Sequence, residues 1–294
     1  MTGTPAYDVV VIGEALVDIV ETSAETSEHV GGSPANVALG LGRRGLSVLL
    51  VTQLGSDERG ERILAHLEDS GVTLAPESFT PRPTSTALAR IGPDGQASYV
   101  FDLAWNAFAL PGTPTRVLHT GSVAAFLEPG AESVREALRA SRAAEVTFDP
   151  NIRPALVGAH APAFRAFEHT ARLATVVKLS DEDAAWLYPG ASLDAVVDAI
   201  LALGPRLVAI TLGSAGAIVA TAMQRLTVPG ERVAVVDTIG AGDTFMASLI
   251  FSVARLGSAG LSAPALERIG RDAVHAAALT VSRAGADLPW AGEL

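Results

Sequence analysis

Residues 237–245 read Asp-Thr-Ile-Gly-Ala-Gly-Asp-Thr-Phe, and an apolar run over residues 246–253 follows them. An apolar run after two glycines predicts a buried helix that begins near Ala241. Glycine lets the backbone approach a ligand closely, and the free amides and dipole of a helix N-terminus bind anions. This stretch therefore predicts an anion site at the start of a core helix.

Asp243 lies in the first turn of this predicted helix, next to the predicted anion site. It has two interpretations. In the first, the carboxylate caps the helix. In the second, it accepts the proton of a hydroxyl group that attacks a phosphate held at the helix N-terminus. The second interpretation predicts phosphoryl transfer to an alcohol.

A second glycine-led helix start lies near the N-terminus, where residues 31–36 read Gly-Gly-Ser-Pro-Ala-Asn. Ser33 as N-cap and Pro34 at the first helical position predict the start. The glycine pair would let a small polar molecule approach, and Asn36 offers it a donor and an acceptor; the alternative is ordinary capping. Asp18, just past the first strand, is either a surface residue or a ligand of sugar hydroxyls at the carboxyl end of that strand.

Two familiar nucleotide-binding motifs are excluded by their context. Residues 40–45 read Gly-Leu-Gly-Arg-Arg-Gly and match the dinucleotide pattern G-x-G-x-x-G letter for letter. That pattern must follow a strand and open a helix, whereas these glycines are predicted to end a helix and precede a strand. A P-loop needs Gly-Lys-Ser/Thr, but the only lysine, Lys178, follows Val177.

The composition of the chain excludes several classes of binding partner and metal site. The chain has 294 residues, with 21 Lys or Arg against 32 Asp or Glu, and a net charge of -11 that would repel nucleic acid. The lack of cysteine excludes disulfides and thiolate metal sites. Residues 1–8 lack the basic segment of a signal peptide, and glycines break the longest apolar stretch, over residues 207–223. We expect a cytoplasmic protein with no nucleic-acid or membrane partner.

Predicted strands and helices alternate along most of the chain. The β-branched residues 9–12 predict a buried parallel strand, which is followed by alternating helices and strands. Residues 86–91 and 97–101 flank a Gly-Pro-Asp-Gly turn and predict an antiparallel hairpin outside the main sheet. The pattern therefore predicts an α/β fold with a doubly wound, mostly parallel sheet flanked by helices and a small β insertion.

Together, residues 31–36 and 237–245 resemble the N-terminal and C-terminal signatures of the ribokinase (PfkB) family of carbohydrate kinases. Weaker matches follow in the family's order at residues 13–18, 149–153, 178–183 and 211–216. The resemblance implies a ribokinase-like fold for one domain over residues 1–294, with a β-sheet lid contributed by about 14–32 and 81–105. It also implies ATP-dependent phosphorylation of a sugar's primary hydroxyl.

The resemblance further implies roles for individual residues. Asp243 is the expected catalytic base, and the backbone of Gly240, Ala241 and Gly242 forms the expected anion hole. The residues expected to bind the sugar are Asp18, Gly31, Gly32, Asn36 and Arg153. Those expected to bind ATP are Lys178, Ser180, Thr211, Gly213, Gly216 and His275, the last where many relatives carry an asparagine.

The same resemblance implies two metal-ion sites. The family's Asn-x-x-Glu motif, tied to Mg²⁺ and phosphate placement, is replaced here by Ser180 and Asp183. These two keep an oxygen ligand and an acid at the same spacing, so we expect Mg²⁺ dependence, with Asp183 as the metal-binding acid. The family's monovalent-cation site matches Asp237, Ile239 and residues 281–286, which predicts stimulation by K⁺.

Residues 148–153 suggest which sugar accepts the phosphate. They read Phe-Asp-Pro-Asn-Ile-Arg and resemble the corresponding segment of the fructokinases and 2-keto-3-deoxygluconate kinases of the family. Arg153 suits either a substrate carboxylate or a phosphate oxygen. No second basic residue lies in residues 31–36 or around Asp18, so fructose ranks above the keto acid, with other sugars behind. A catalytically inert sugar-binding regulator is the alternative class. The exposed edges of the predicted hairpin also suggest a homodimer.

Overall fold

The computed structural model describes residues 7–22, 25–92, 97–109 and 112–294. The strands are β1 (Tyr7–Ile12), β2 (Leu16–Glu21), β3 (Thr26–Gly31), β4 (Val48–Val51), β5 (Leu54–Gly55), β6 (Val72–Leu74), β7 (Phe79–Thr80), β8 (Thr86–Ile91), β9 (Ala97–Asp102), β10 (Thr115–Gly121), β11 (Glu145–Asp149), β12 (Val176–Ser180), β13 (Leu207–Thr211), β14 (Gly216–Ala220) and β15 (Arg225–Pro229). Within the described residues, nine of these strands form the main sheet, in the order β15-β14-β13-β12-β11-β10-β1-β4-β6. Neighbouring strands run parallel except at the two pairs that β14 makes.

Helices cover both faces of the main sheet. They are α1 (Ser33–Arg43), α2 (Glu58–Glu68), α3 (Gly130–Ala140), α4 (Pro154–Val157), α5 (His160–Ala171), α6 (Asp181–Leu187), α7 (Leu193–Leu203), α8 (Ala241–Leu256) and α9 (Ala263–Val281). Because successive strand residues face opposite layers, Val9 and Val11 join the core that contains α1, α8 and α9 residues. Val10 and Ile12 instead join the core that contains α3, α5 and α7 residues. This arrangement confirms the predicted α/β fold.

The strand order places a ligand crevice at one edge of the sheet. From β1 the sheet grows to β4 on one side and to β10 on the other, so the direction of winding changes between β1 and β10. Open α/β sheets bind ligands at the carboxyl ends of the strands beside such a reversal. The segments that follow β1, β10, β11, β12 and β13 therefore lie where a substrate is expected. Among the described residues, no helix is both long and apolar enough to cross a bilayer.

A separate four-stranded sheet has the order β3-β2-β8-β9. Its β8 and β9 form the predicted antiparallel hairpin, whose predicted turn over residues 93–96 lies outside the described residues. The strands come from the two segments, 14–32 and 81–105, that were expected to supply a lid. Tyr99 and Val100 of β9 are largely exposed.

The N-cap of α1 differs from the sequence-based prediction. The N-cap is Gly32, with φ 104°, and not Ser33, because the Ser33 hydroxyl bonds to α8 rather than to an amide of its own helix. Because α1 ends at Arg43 before Gly45, the glycines of residues 40–45 end this helix as predicted, and Gly40 and Gly42 lie in its last turn. There they permit close packing, since a Cβ at Gly42 would lie 2.2 Å from the Ser70 carbonyl oxygen.

Candidate active site

The N-terminus of α8 is built by a glycine in a left-handed conformation. Gly240 is the N-cap with φ 77°, and a Cβ there would lie 2.8 Å from the Ala286 side chain. The preceding loop is held by Asp237, whose carboxylate accepts hydrogen bonds from the Ile239 and Gly285 amides at 3.0 and 2.9 Å. These bonds, led by the Ile239 amide, lower the pKa of Asp237. The first amides of α8 receive no side-chain cap: the Ala241 amide makes only a long bond, 3.4 Å, to the Thr238 carbonyl oxygen, and the next amides of the first turn are available to an anion.

Asp243 reaches across to α1. Its Oδ1 accepts a hydrogen bond from Ser33 Oγ at 2.6 Å, and its Oδ2 accepts one from Asn36 Nδ2 at 2.8 Å. The interpretation of Asp243 as a cap of its own helix is wrong, since α8 has no side-chain cap bond. Asp243 is 9% exposed, and two neutral donors orient its carboxylate without neutralising it. A carboxylate held in this way suits proton acceptance from a bound hydroxyl.

A buried ion pair lies beside the same helix start. Lys178 Nζ is 2.9 Å from Asp149 Oδ2, and both side chains are almost fully buried. A Cβ added at Gly242 would lie 3.0 Å from this ammonium, so Lys178 reaches the first turn of α8. Burial lowers the pKa of Lys178, but the charge and hydrogen bond of Asp149, together with the charges of Asp183 and Asp243, outweigh that effect and the net direction is upward. The anion site therefore contains a fixed positive charge.

Asp18 and Gly31 are packed together on neighbouring strands of the smaller sheet. A Cβ at Gly31 would lie 2.0 Å from Asp18 Oδ2, so only glycine leaves room for this carboxylate. Burial raises the pKa of Asp18; the charges of His29 and Arg153 oppose that shift, and Asp243 adds to it. These interactions place Asp18 and Arg153 in one charge cluster with Asp243. Gly32 completes the turn into α1 with its positive φ.

Asp183 and Ser180 form the start of α6. Asp183 N donates to Ser180 Oγ and Ser180 N donates to Asp183 Oδ2, each at 3.0 Å, which is a reciprocal capping box. Asp183 Oδ1 also accepts the Ile152 amide at 2.8 Å. Each carboxylate oxygen still has a lone pair, so these residues fit a Mg²⁺ ion that phosphates and waters mostly coordinate.

The residues expected to bind ATP lie at the ends of adjacent strands, with one exception. Thr211 pairs in register with Ser180, and Gly213 follows it in open space with φ 54°. Gly216 is buried, and a Cβ there would lie 2.1 Å from the Val228 carbonyl oxygen, so only glycine fits at this position. His275 lies apart on α9, where its Nδ1 is 3.0 Å from Glu231 Oε2.

Sequence reasoning missed three polar residues of this region. Ser33 was interpreted as a cap, Asp149 was noted only as part of a motif, and Glu14 received no role. Glu14 follows β1, and its Oε2 accepts the Ala124 amide at 3.1 Å. Burial raises the pKa of Glu14 to about 7, against smaller opposing hydrogen bonds led by that of Ser122. The only sequence feature that could have indicated a role for Glu14 is its position just after the first strand, where α/β sheets bind ligands.

Known proteins resemble this chain over most of its length. A model of the pfkB family carbohydrate kinases matches residues 6–291. A fructokinase from Rhizobium leguminosarum bv. trifolii is 35% identical over 255 residues, covering 82% of this chain and 78% of the relative.

Two solved structures share the fold. A fructokinase double mutant from Vibrio cholerae O395, in a fructose, ADP and potassium ion bound form, has a TM-score of 0.81 at 26% identity, over 96% of this chain and 94% of that chain. An aminoimidazole riboside kinase from Salmonella enterica, complexed with aminoimidazole riboside and an ATP analog, has a TM-score of 0.80 at 26% identity, over 97% of both chains.

Proposed function

Because the chain belongs to the pfkB family of carbohydrate kinases and is an ATP-dependent sugar kinase, we propose that fructose is its acceptor and Asp243 its catalytic base. One observation supports the role of Asp243 above all others. Its carboxylate is held by α1 at the uncapped start of α8, beside the ammonium of Lys178. A base, an anion-binding helix start and a fixed cation are the groups that phosphoryl transfer to a hydroxyl needs.

In the proposed mechanism, a primary hydroxyl of the sugar gives its proton to Asp243 while its oxygen attacks the γ-phosphorus of ATP. The amides of Ala241 and Gly242 donate hydrogen bonds to the phosphoryl oxygens, and Lys178 offsets their negative charge. Asp149 keeps that ammonium in place through its ion pair. Arg153 interacts with a phosphate oxygen or a substrate hydroxyl.

ATP lies along the ends of β12 and β13 in this proposal, with Ser180, Thr211 and Gly213 lining its site and His275 beyond them. A similar sugar kinase from Pyrococcus horikoshii is solved in complex with ATP, and the similar fructokinase from Vibrio cholerae is in a fructose, ADP and potassium ion bound form. We propose Mg²⁺ as the divalent ion, with Asp183 as the acid that helps to hold it. When bound, the ion neutralises charge on the phosphates.

A monovalent cation is proposed for the loop pair beside α8. The amides of Val236 and Asp237 donate to the Val281 carbonyl oxygen at 2.8 and 3.3 Å, so the loop before α8 is tied to the C-terminal end of α9. Ile239 belongs to the same loop. We expect K⁺ to stimulate turnover, and equal rates in K⁺ and in a large organic cation would contradict this expectation.

Fructose is preferred because of the charges that surround the proposed sugar site. Asp18 and Asp243 are both carboxylates, and the ammonium of Lys178 is already paired with Asp149. Gly31, Gly32 and Asn36 offer polar groups without charge. A keto acid such as 2-keto-3-deoxygluconate would bring a carboxylate next to these acids, with Arg153 as its main attraction. A neutral sugar avoids that repulsion.

Two further properties are proposed. The smaller sheet forms a lid over the sugar, and its exposed β9 residues Tyr99 and Val100 suit contact with a second copy in a homodimer. A monomeric mass in light scattering would contradict the dimer. The use of ATP and the lack of cysteine support a cytoplasmic location.

The experiment is a kinase assay against a panel of sugars, with the Asp243→Asn variant as blank. We expect fructose to give the highest kcat/KM. A preference for 2-keto-3-deoxygluconate above about tenfold would overturn the ranking. Sugar binding without any phosphoryl transfer would favour the inert regulator instead.

A further inference from the structure

Ser33 makes the contact that an acceptor hydroxyl must make. Its Oγ donates a hydrogen bond to Asp243 Oδ1 at 2.6 Å. A sugar hydroxyl that gives its proton to the same carboxylate has to approach it at this distance. The chain therefore holds one of its own alcohol groups against the proposed base.

The backbone holds Ser33 in this place. Gly32 precedes it with φ 104°, and a Cβ at Gly32 would lie 2.6 Å from the Glu14 carbonyl oxygen, so this turn is tightly packed. Ser33 is the first residue of α1, and Asn36, one turn later, binds the other oxygen of Asp243. The two helix starts therefore meet at the Ser33–Asp243 contact. The Ser33 side chain is only partly buried, so it can meet a bound nucleotide.

We propose that Ser33 is an internal phosphoryl acceptor when ATP is bound and no sugar is present. This inference rests on the proposed function. The Ser33 hydroxyl gives its proton to Asp243, a bond forms between Ser33 Oγ and the γ-phosphorus, and the bond from that phosphorus to the bridging oxygen breaks. ADP leaves, and Asp243 later passes the proton to water.

The product would inactivate the site. A phosphate on Ser33 occupies the position of the sugar hydroxyl and places negative charge beside Asp243 and near Asp18. The start of α1 and the ammonium of Lys178 would stabilise it there. A sugar that occupies the site displaces the Ser33 hydroxyl from Asp243, so substrate protects the enzyme from this reaction.

The test is intact-protein and peptide mass spectrometry of the full chain after incubation with Mg²⁺ and ATP alone. We expect one added phosphoryl group on Ser33, a parallel loss of fructose phosphorylation, and protection by fructose. Asp243→Asn should slow the labelling by about 10²- to 10⁴-fold. Ser33→Ala should carry no label, whereas Ser262→Ala, a matched change at the exposed start of α9, should be labelled normally.

Parallel sugar assays on the same samples separate the two claims. An enzyme that phosphorylates fructose but leaves Ser33 unmodified would overturn the internal transfer and leave the proposed function standing. Label on another residue, or label that Asp243→Asn does not slow, would also overturn it. A labelled Ser33 in a protein that phosphorylates no sugar would support the inference and contradict the proposed function.

Discussion

Asp243 and Asp183 occupy the same position in two different helices, since each is the third residue, of α8 and α6 respectively. Asp183 folds back on its own helix start and exchanges hydrogen bonds with Ser180. Asp243 instead turns towards α1 and leaves its own helix uncapped.

The N-cap residue explains the difference. The Ser180 hydroxyl accepts a hydrogen bond from the Asp183 amide, and the Ser180 amide donates one to the Asp183 carboxylate. Both groups therefore complete the start of α6. Gly240 has no side chain and a left-handed backbone, which leaves the amides of α8 for an anion. A capped acid stabilises the fold, whereas an acid behind a glycine N-cap is available for chemistry.

The largest expected effect comes from Asp243→Asn. We expect kcat to fall by about 10²- to 10⁴-fold, because the amide cannot accept the hydroxyl proton, with little change in thermal stability. Steady-state kinetics with ATP and fructose measure it. Asp181→Asn, at the exposed start of α6, is the matched control and should keep native turnover. Near-native turnover of Asp243→Asn would remove Asp243 from the mechanism.

Lys178→Met tests the cation beside α8. It leaves Asp149 buried without its partner, so we expect the free energy of unfolding to fall by about 3–5 kcal/mol. The double variant Lys178→Met with Asp149→Leu removes both charges and should recover most of that stability in urea unfolding. Turnover should stay low in both variants. Recovery of turnover in the double variant would exclude a role for the ammonium in catalysis.

Glu14 is a buried acid that belongs to neither helix start. Burial raises its pKa from 4.5 to about 7, so the folded chain holds the proton more tightly than the unfolded chain. Stability should therefore fall as the pH rises through this range, by at most about 3 kcal/mol. Glu14→Gln should unfold at higher urea than the native chain at pH 8 and at similar urea at pH 4.5. Equal midpoints at pH 8 would contradict a Glu14 carboxyl whose pKa is raised by burial.

The smallest expected effect is that of Asp183→Ala. The amides of Ser180 and Ile152 would lose their acceptor, which lowers the free energy of unfolding by about 1–3 kcal/mol. We also expect a higher Mg²⁺ requirement, read from a Mg²⁺ titration of the rate. An unchanged unfolding midpoint would contradict the stabilising role of Asp183 at the start of α6, which distinguishes it from Asp243.

The sequence predicts those features of the fold that depend on residues close together along the chain. The start of α8 follows from a glycine pair before an apolar run, and the β8–β9 hairpin follows from a turn sequence between two short strands. The partners of Asp243 lie 210 and 207 residues away, so no local pattern indicates that Ser33 bonds to it rather than to its own helix.

The buried pair of Lys178 and Asp149 depends in the same way on long-range structure. The two residues lie on adjacent parallel strands, β12 and β11, and only the register between those strands brings them together. The sequence placed Lys178 among the ATP-binding residues through resemblance alone. Its position beside Gly242 emerges from the folded sheet and α8 together.

In the proposed mechanism, Asp243 serves the chemical step and not the binding of substrate. The most direct measurement is a calorimetric titration of fructose into Asp243→Asn with a non-hydrolysable ATP analogue present. We predict a Kd within about threefold of the native value, because the asparagine can still hydrogen-bond the sugar hydroxyl and the sugar keeps its other contacts. A Kd weakened by more than about tenfold, some 1.4 kcal/mol, would contradict the claim and make Asp243 a binding residue.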